Sequence, residues 1–209
     1  MADRSAPPNV RRLLTSTAAV WAVFALWPAY TALYTLELGE TLSAAFEFVP
    51  GLLGVSALLA AGFSPEACHL RRAPLTRRGL TLLGLSFLVG PIMWLTGRWT
   101  GWKPAQALIY APATGISQEL YFRAALLPAL LTTLRKRSFL AVVLQALLFA
   151  LWHVPTTYLT APLGAVAAVA TVTFGCGILW GEQVRHDGTV LWLMGYHTLL
   201  LVGNSFFTW

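Results

Sequence analysis

The sequence predicts an all-α bundle of about seven transmembrane helices, with the N-terminus in the cytoplasm and the C-terminus outside. Three observations favour this fold class. The mean hydropathy is +0.66, with 57% apolar and only 11% charged residues, a composition too apolar for a domain whose surface faces water. The apolar residues form runs of about 20 residues, the length that a helix needs to cross a bilayer. Short charged or turn-rich segments separate these runs.

Seven apolar runs account for nearly the whole chain of 209 residues, so we treat residues 1–209 as one integral-membrane domain. The first run contains no small-residue cleavage site, which predicts an anchored helix and not a removed signal peptide. The fourth run is longer than a bilayer requires and contains Pro112, Gly115 and Pro128, which predicts a kinked or tilted helix. The predicted spans lie near residues 13–35, 41–62, 79–97, 105–134, 139–155, 161–181 and 188–207.

The distribution of the 14 lysines and arginines predicts the orientation. With a cytoplasmic N-terminus, Arg98 and Lys103 fall outside and Arg123 lies within a span. The high pI of about 9.8 then reflects loops that face anionic lipid, and it predicts no nucleic-acid partner. Tryptophans, Trp152 and Trp180 among them, are expected at the two membrane interfaces. The other basic residues all fall on the cytoplasmic side: Arg4, Arg11, Arg12, Arg71, Arg72, Arg77, Arg78, Arg135, Lys136, Arg137 and Arg185.

Polar side chains inside the predicted spans are few, and a charge at mid-bilayer costs at least about 2.5 kcal/mol on insertion scales. They are Glu47, Gln118, Glu119, Arg123, Gln145, His153, His197 and Asn204. Glu119 and Arg123 are four residues apart, so they share a helix face and can form an ion pair. Counted from the cytoplasmic loop between the fourth and fifth spans, Glu119 and His153 both lie roughly 21 to 22 Å deep and can meet. By the same rise His197 lies roughly 13 Å deep, and Asn204 lies closer to the level of Glu119.

A buried ion pair or a hydrogen-bonded histidine can also serve packing alone. The convergence of two histidines, a glutamate and an arginine in an apolar surrounding nevertheless favours a functional site. Glu47 lies near the outer end of the second span, where a snorkelling or cavity-lining role is expected instead of catalysis.

Three sequence segments resemble a known family of membrane proteases. "QELYFR" at residues 118–123, "FALWH" at residues 149–153 and a histidine in a late helix are similar to the signatures EExxxR, FxxxH and HxxxN or HxxxD of the CPBP family, also called the CAAX-protease or Abi family. The resemblance covers roughly residues 105–205, which it identifies as the catalytic helices. It implies glutamate-dependent hydrolysis of peptide bonds in the membrane, without a cofactor. It also implies membrane-anchored or lipidated protein precursors as substrates and a location in the bacterial cytoplasmic membrane. Some bacterial branches of the family resemble the myxosortases, which process C-terminal sorting signals. A myxosortase-like branch is one alternative for this chain.

This chain departs from the family pattern at two positions. Gln118 occupies the place of the first glutamate, which the family uses as general base, and an amide cannot accept a proton from water. The family's Asn or Asp falls at Leu201, although Asn204 offers an amide one turn further on.

Two readings of the resemblance follow. In the active reading, Glu119 replaces the missing base, His153 shares the catalytic water, His197 and Asn204 donate to the oxyanion, and Arg123 and Gln118 set the geometry. In the silent reading, the protein binds substrates or partners, or acts as a scaffold, without cutting them.

Other chemistries remain as alternatives. His153, His197 and Glu119 could hold a catalytic zinc ion, although the sequence has no HExxH spacing. A serine mechanism at Ser117 is weaker, because Ser117 points roughly 200° away from Glu119 around a helix. A transporter would also place ionisable groups at mid-depth, but the sequence shows no internal repeat.

Overall fold

The computed structural model describes residues 8–35, 40–88, 95, 98–135, 137–160 and 162–208; most of these residues are helical, and the longest non-helical segment is the loop at residues 61–76. The predicted all-α class is therefore confirmed. The helices are α1 (Pro8–Thr35), α2 (Glu40–Ala60), α3 (Arg77–Phe87), α4 (Ala111–Glu119), α5 (Leu127–Leu134), α6 (Ser138–Thr160), α7 (Leu163–Asp187) and α8 (Leu191–Asn204). Two π-helical segments continue these helices: π1 (Gln106–Tyr110) leads into α4, and π2 (Leu120–Leu126) joins α4 to α5, so that residues 106–134 form one long helical segment.

Membrane crossing is supported most directly by α6 and α7. Over the described residues, Ser138–Leu159 and Leu163–Asp187 are long and apolar enough to cross a bilayer, and Ala45–Ala60 is a shorter apolar helix. In the third predicted span, near residues 79–97, residues 89–94 and 96–97 lie outside the described residues. The number of seven spans and the orientation stay predictions.

The outer surface of the bundle is apolar, as expected of helices that face lipid. Large side chains that a water-soluble protein would bury are exposed here along several helices. They include Leu52, Leu53, Leu80, Leu85, Leu88, Leu147 and Leu151.

Aromatic residues fill the core between α1, π2 and α6. The Tyr30 ring lies 5.3 Å from the Tyr121 ring and 4.9 Å from the Trp152 ring, centroid to centroid. The Tyr121 hydroxyl donates a hydrogen bond of 3.0 Å to the carbonyl of Val23, which ties π2 to α1. Trp152 and Trp180 are only 0% and 2% exposed. The prediction that these two tryptophans lie at the membrane interfaces is wrong, because both rings pack inside the bundle.

Two contacts hold the last helices in place. Gly177 on α7 lies so close to α6 that a Cβ atom there would be 2.9 Å from the Cα atom of Ala146. At the far end of α8, a short antiparallel ribbon pairs β1 (Arg98–Trp99) with β2 (Phe207–Thr208). The Trp99 ring stacks on the Phe206 ring at 5.2 Å, so this ribbon joins the chain before π1 to the chain after α8.

Candidate active site

Glu119 is the centre of a buried polar cluster. It is the last residue of α4, and its side chain is fully buried. Arg123 Nη1 donates to Glu119 Oε1 at 3.1 Å, and His197 Nδ1 donates to the same oxygen at 2.7 Å. Glu119 Oε2 is buried and has no partner among the described residues. One carboxylate oxygen is therefore fixed by two donors, while the other retains its capacity to bind a ligand.

Arg123 lies in π2, between Glu119 and three aromatic rings. Its guanidinium carbon lies 4.3 Å from the centroid of Phe149, 5.3 Å from that of Trp180 and 5.9 Å from that of Phe122. Cation–π contacts of this kind offset part of the cost of burying the charge. Single π-helical turns occur often at functional sites, and here one begins immediately after the buried acid. No feature of the sequence indicated π2.

Gly115 brings His197 to Glu119. A Cβ atom at Gly115 would lie 2.8 Å from the backbone nitrogen of Thr198, so α4 and α8 touch at this point. Because Gly115 precedes Glu119 by one turn and Thr198 follows His197 directly, the contact sets the 2.7 Å hydrogen bond between the two side chains.

Trp180 packs against the same histidine from α7. The two rings are 4.6 Å apart, centroid to centroid, with an interplanar angle of 47°. The indole nitrogen of Trp180 donates to Ser86 Oγ at 2.9 Å, and Ser86 Oγ lies 3.1 Å from the hydroxyl oxygen of Tyr196. Sequence reasoning missed Trp180, Ser86 and Gly115 as parts of the site, since none of them carries a charge or belongs to a motif.

His153 completes the group of predicted residues around the ring of Phe149. Its Nδ1 donates to the carbonyl of Phe149 at 2.8 Å, and the two rings are 4.7 Å apart, centroid to centroid. The His197 ring lies 6.5 Å from the same Phe149 ring, and the Arg123 guanidinium packs on it. The structure therefore gathers Arg123, His153 and His197 around one aromatic side chain, and two of them, Arg123 and His197, bond to Glu119.

Gln118 and Asn204 are placed differently. Gln118 is 2% exposed, and its Oε1 is buried without a partner among the described residues. Asn204 lies seven residues beyond His197, about 10 Å along α8, in the wall of a cavity of about 350 Å³. The predicted depths of His197 and Asn204 are wrong, because His197 itself meets Glu119. The predicted depths were counted from the cytoplasmic ends of the helices, on the assumption that these ends lie at the same depth. The hydrogen bond between His197 and Glu119 shows that the ends of α5 and α8 are offset along the bundle.

Glu47 contacts α4 instead of reaching toward solvent. Ser117 Oγ lies 3.2 Å from Glu47 Oε2 and 3.2 Å from the carbonyl of Thr114. Glu47 thus joins α2 to the wall of α4, on the face away from Glu119. Ser117 is engaged in these contacts, which gives no support to a serine mechanism.

The described residues contain no group of three His, Cys, Asp or Glu side chains arranged to hold a metal ion. Three preformed ligands are what a catalytic zinc site requires. The arrangement of His153, His197 and Glu119 therefore does not fit zinc as it stands.

Comparison with known proteins adds a family to this geometry. Residues 100–202 match the family model described as type II CAAX prenyl endopeptidase Rce1-like. These residues belong to the CAAX protease family. The matched region is about half of the chain and contains Glu119, Arg123, His153 and His197. At the family level, the match supports a CAAX-type intramembrane protease. The apolar helices α6 and α7 agree with a membrane location. Comparisons with curated proteins and with solved structures gave no match.

Proposed function

We propose that this chain is an intramembrane endopeptidase that cleaves membrane-anchored or lipidated protein precursors with a water molecule activated by Glu119. The asymmetry of the Glu119 carboxylate carries the proposal. Oε1 accepts from Arg123 and His197, whereas Oε2 is buried without a partner among the described residues. A carboxylate oxygen with spare lone pairs is where a general base receives a proton.

In the proposed reaction, water gives a proton to Glu119 Oε2 as its oxygen bonds to the scissile carbonyl carbon, and the carbonyl electron pair moves to oxygen. The tetrahedral intermediate then collapses and re-forms the carbonyl. The C–N bond breaks, and the proton on Glu119 passes to the leaving amine. Glu119 returns to its carboxylate form.

The histidines take distinct roles in this reaction. Because His153 Nδ1 donates to the Phe149 carbonyl, its Nε2 is an acceptor in the neutral ring, and we assign it the second hydrogen of the water. His197 already donates Nδ1–H to Glu119, so we assign it the orientation of the carboxylate instead of the expected oxyanion role. The amide of Gln118, next to the base in the chain, becomes our candidate donor to the oxyanion in place of Asn204.

The test is cleavage of a prenylated, dye-labelled peptide by the full chain in lipid nanodiscs. We expect Glu119→Gln and His153→Ala to lower kcat/KM by about 100-fold or more, the usual loss when a general acid–base group is removed. Glu182→Gln is the matched control, since Glu182 is a carboxylate on α7 that pairs with Arg185 at 2.6 Å. Equal activity of Glu119→Gln and the wild type would refute the mechanism.

A catalytically silent protein is the second candidate, and Gln118 in the place of the family's base favours it. Gln118→Glu distinguishes the two. A large gain from an inactive wild type would support a silent protein that binds without cutting. Unchanged or reduced cleavage by Gln118→Glu, from an active wild type, would support Glu119 as the base.

A further inference from the structure

The loop between α2 and α3, residues 61–76, crosses the end of α7 and is fixed there by hydrogen bonds. The carbonyl of His69 accepts a bond of 2.9 Å from the backbone nitrogen of Val190. At the end of the loop, Thr76 Oγ1 donates to Asp187 Oδ1 at 2.6 Å. The second half of the loop therefore keeps a defined position on the bundle.

Three arginines are exposed on this loop and on the first turn of α3. Arg71, Arg72 and Arg77 form no ion pair with the residues that the structure describes. The Arg71 guanidinium lies 3.7 Å from the position that a Cβ atom of Gly188 would take. Gly188 directly follows Asp187, the residue that binds the start of α3, so the two ends of this basic segment meet at the end of α7. We name the three side chains the arginine surface.

Neighbouring carboxylates reduce the charge of the arginine surface without cancelling it. Glu182 is bound by two other arginines, at 2.6 Å and 3.8 Å. The Asp187 side chain is buried and accepts hydrogen bonds from α3 and α7, and Glu66 is exposed. Residues 64–78 and 182–188 together contain five arginines and three carboxylates, so this end of the molecule has a net charge of +2.

An apolar face begins next to Arg77 and follows α3. Leu80, Gly84 and Leu88 come three, seven and eleven residues after Arg77, so they lie on the same side of the helix. Leu80 and Leu88 are 61% and 62% exposed, whereas a Cβ atom at Gly84 would have nothing within 4 Å. Gly84 therefore leaves a shallow groove between two exposed leucines.

Trp192, in the first turn of α8, indicates the level of the membrane interface. Its ring is half-exposed, and its indole nitrogen donates to the carbonyl of Ala73 at 2.8 Å. A tryptophan with an exposed apolar ring and a bonded N–H group is typical of the region between hydrocarbon and headgroups. Because Ala73 directly follows Arg72, the arginine surface lies at headgroup level.

We propose that the arginine surface binds the phosphate headgroup of an anionic lipid, whose acyl chain lies in the groove at Gly84. Arginine side chains hold phosphate oxygens with paired N–H donors, and basic clusters beside membrane helices are typical headgroup sites. Arg72 and Arg77 are the principal cations, because Arg71 is also attracted by Glu66. This binding site does not depend on the proposed peptidase activity.

The bound lipid would supplement the few contacts that hold α3. Of the eleven residues of this helix, only Gly79, Leu83 and Ser86 are buried. A lipid that binds the first turn and the outer face of α3 adds contacts that the protein core does not provide. Ligand binding of this kind raises the stability of the folded chain.

The experiment measures the thermal midpoint of the full chain in neutral detergent micelles as lipid is added. Dioleoylphosphatidylglycerol should raise the midpoint until the site is saturated, whereas dioleoylphosphatidylcholine, which has the same chains and no net charge, should not. Arg72→Gln and Arg77→Gln should each weaken the apparent affinity for the anionic lipid about fivefold, the equivalent of about 1 kcal/mol for one arginine at an anionic surface. Arg77→Lys should retain most of the affinity.

Arg137→Gln is the matched control, because Arg137 is an exposed cation of the loop between α5 and α6, on the same predicted side of the membrane. It should leave the affinity unchanged. Glycerol 3-phosphate provides the headgroup chemistry without acyl chains, and at the same concentration it should leave the midpoint unchanged.

Three outcomes would overturn the proposal. The first is a midpoint that does not respond to the anionic lipid. The second is an equal loss of affinity in Arg77→Gln and Arg137→Gln, which would show a general attraction between a basic protein and an anionic micelle. The third is a rise of the midpoint with glycerol 3-phosphate alone, which would assign the arginine surface to a free phosphate compound.

Discussion

Gly115→Ala tests whether the contact between α4 and α8 sets the site. The added Cβ atom would lie 2.8 Å from the nitrogen and the Oγ1 of Thr198 and 3.0 Å from its Cα atom. Ordinary van der Waals contact begins at 3.4 Å, so α8 must retreat by about 0.6 Å. The same shift lengthens the hydrogen bond between His197 and Glu119 from 2.7 Å to about 3.3 Å, beyond the usual range for this kind of bond.

Two effects follow from this displacement. Overpacking of a close contact costs about 1 to 3 kcal/mol of stability. Loss of a hydrogen bond to a charged group costs about 1.5 to 3 kcal/mol, which corresponds to a fall in kcat/KM of about 10-fold to 100-fold if the bond is needed in the transition state. Trimming Thr198 would not restore activity, because two of the three contacted atoms belong to the backbone.

The assay is cleavage of the prenylated peptide in nanodiscs, with the thermal midpoint measured in parallel. Gly195→Ala on the same helix is the control, since a Cβ atom at Gly195 has nothing within 4 Å. That variant should keep full activity and gain about 0.5 to 1 kcal/mol in stability, as replacement of glycine by alanine in a helix usually does. Full activity of Gly115→Ala would show that this contact does not hold His197, and the argument for it would fail.

Three further predictions concern other parts of the molecule. Trp180→Phe keeps a ring against His197 but removes the hydrogen bond to Ser86, so it should cost about 1 kcal/mol of stability and lower kcat several-fold with KM unchanged. Trp180→Ala also removes the ring and should lower both stability and kcat much further. Equal effects of the two variants would contradict a role for the ring. Treatment with EDTA should leave cleavage unchanged, whereas loss of cleavage with recovery on adding zinc would establish the metal alternative. Burial lowers the pKa of His69, in the loop before α3, from 6.5 to about 4. The unfolded chain therefore binds the proton first, so stability is complete above about pH 6.5 and falls by about 2 kcal/mol at pH 5. Thermal midpoints at pH 7.5 and pH 5 should show this loss in the wild type and a smaller one in His69→Phe; equal losses would contradict it.

Sequence reasoning singled out the charged members of the candidate site because their chemistry is conspicuous in an apolar chain, and their role in catalysis stays a prediction. The spacing of four residues predicted the pair of Glu119 and Arg123, and the hairpin of the fourth and fifth spans predicted that His153 lies near them. These features follow from helix geometry within one or two neighbouring elements. Glu47 was expected to snorkel or to line a cavity, and the structure joins it to Ser117 on α4.

The parts that sequence reasoning missed depend on how separate helices pack. The level of α8 against α4 is set by the contact of Gly115 with Thr198, so rise counting alone misplaced His197 and Asn204. Tryptophan statistics predicted an interface position for Trp180, but its ring is buried against Arg123 and His197, where packing outweighs the general preference. The π-helical turn that carries Arg123 has no local sequence signal, since its hydrogen bonds differ from those of an α-helix by one residue only.

The position of Trp180 has a practical consequence. An indole ring 4.6 Å from an imidazole ring is sensitive to changes in that imidazole, because both the ring current and the local charge differ between its protonation states. Incorporation of fluorotryptophan would label all nine tryptophans, and the Trp180→Phe variant would assign the one signal of interest by its absence. The protein therefore contains its own spectroscopic probe of His197, which can be read before any substrate is known.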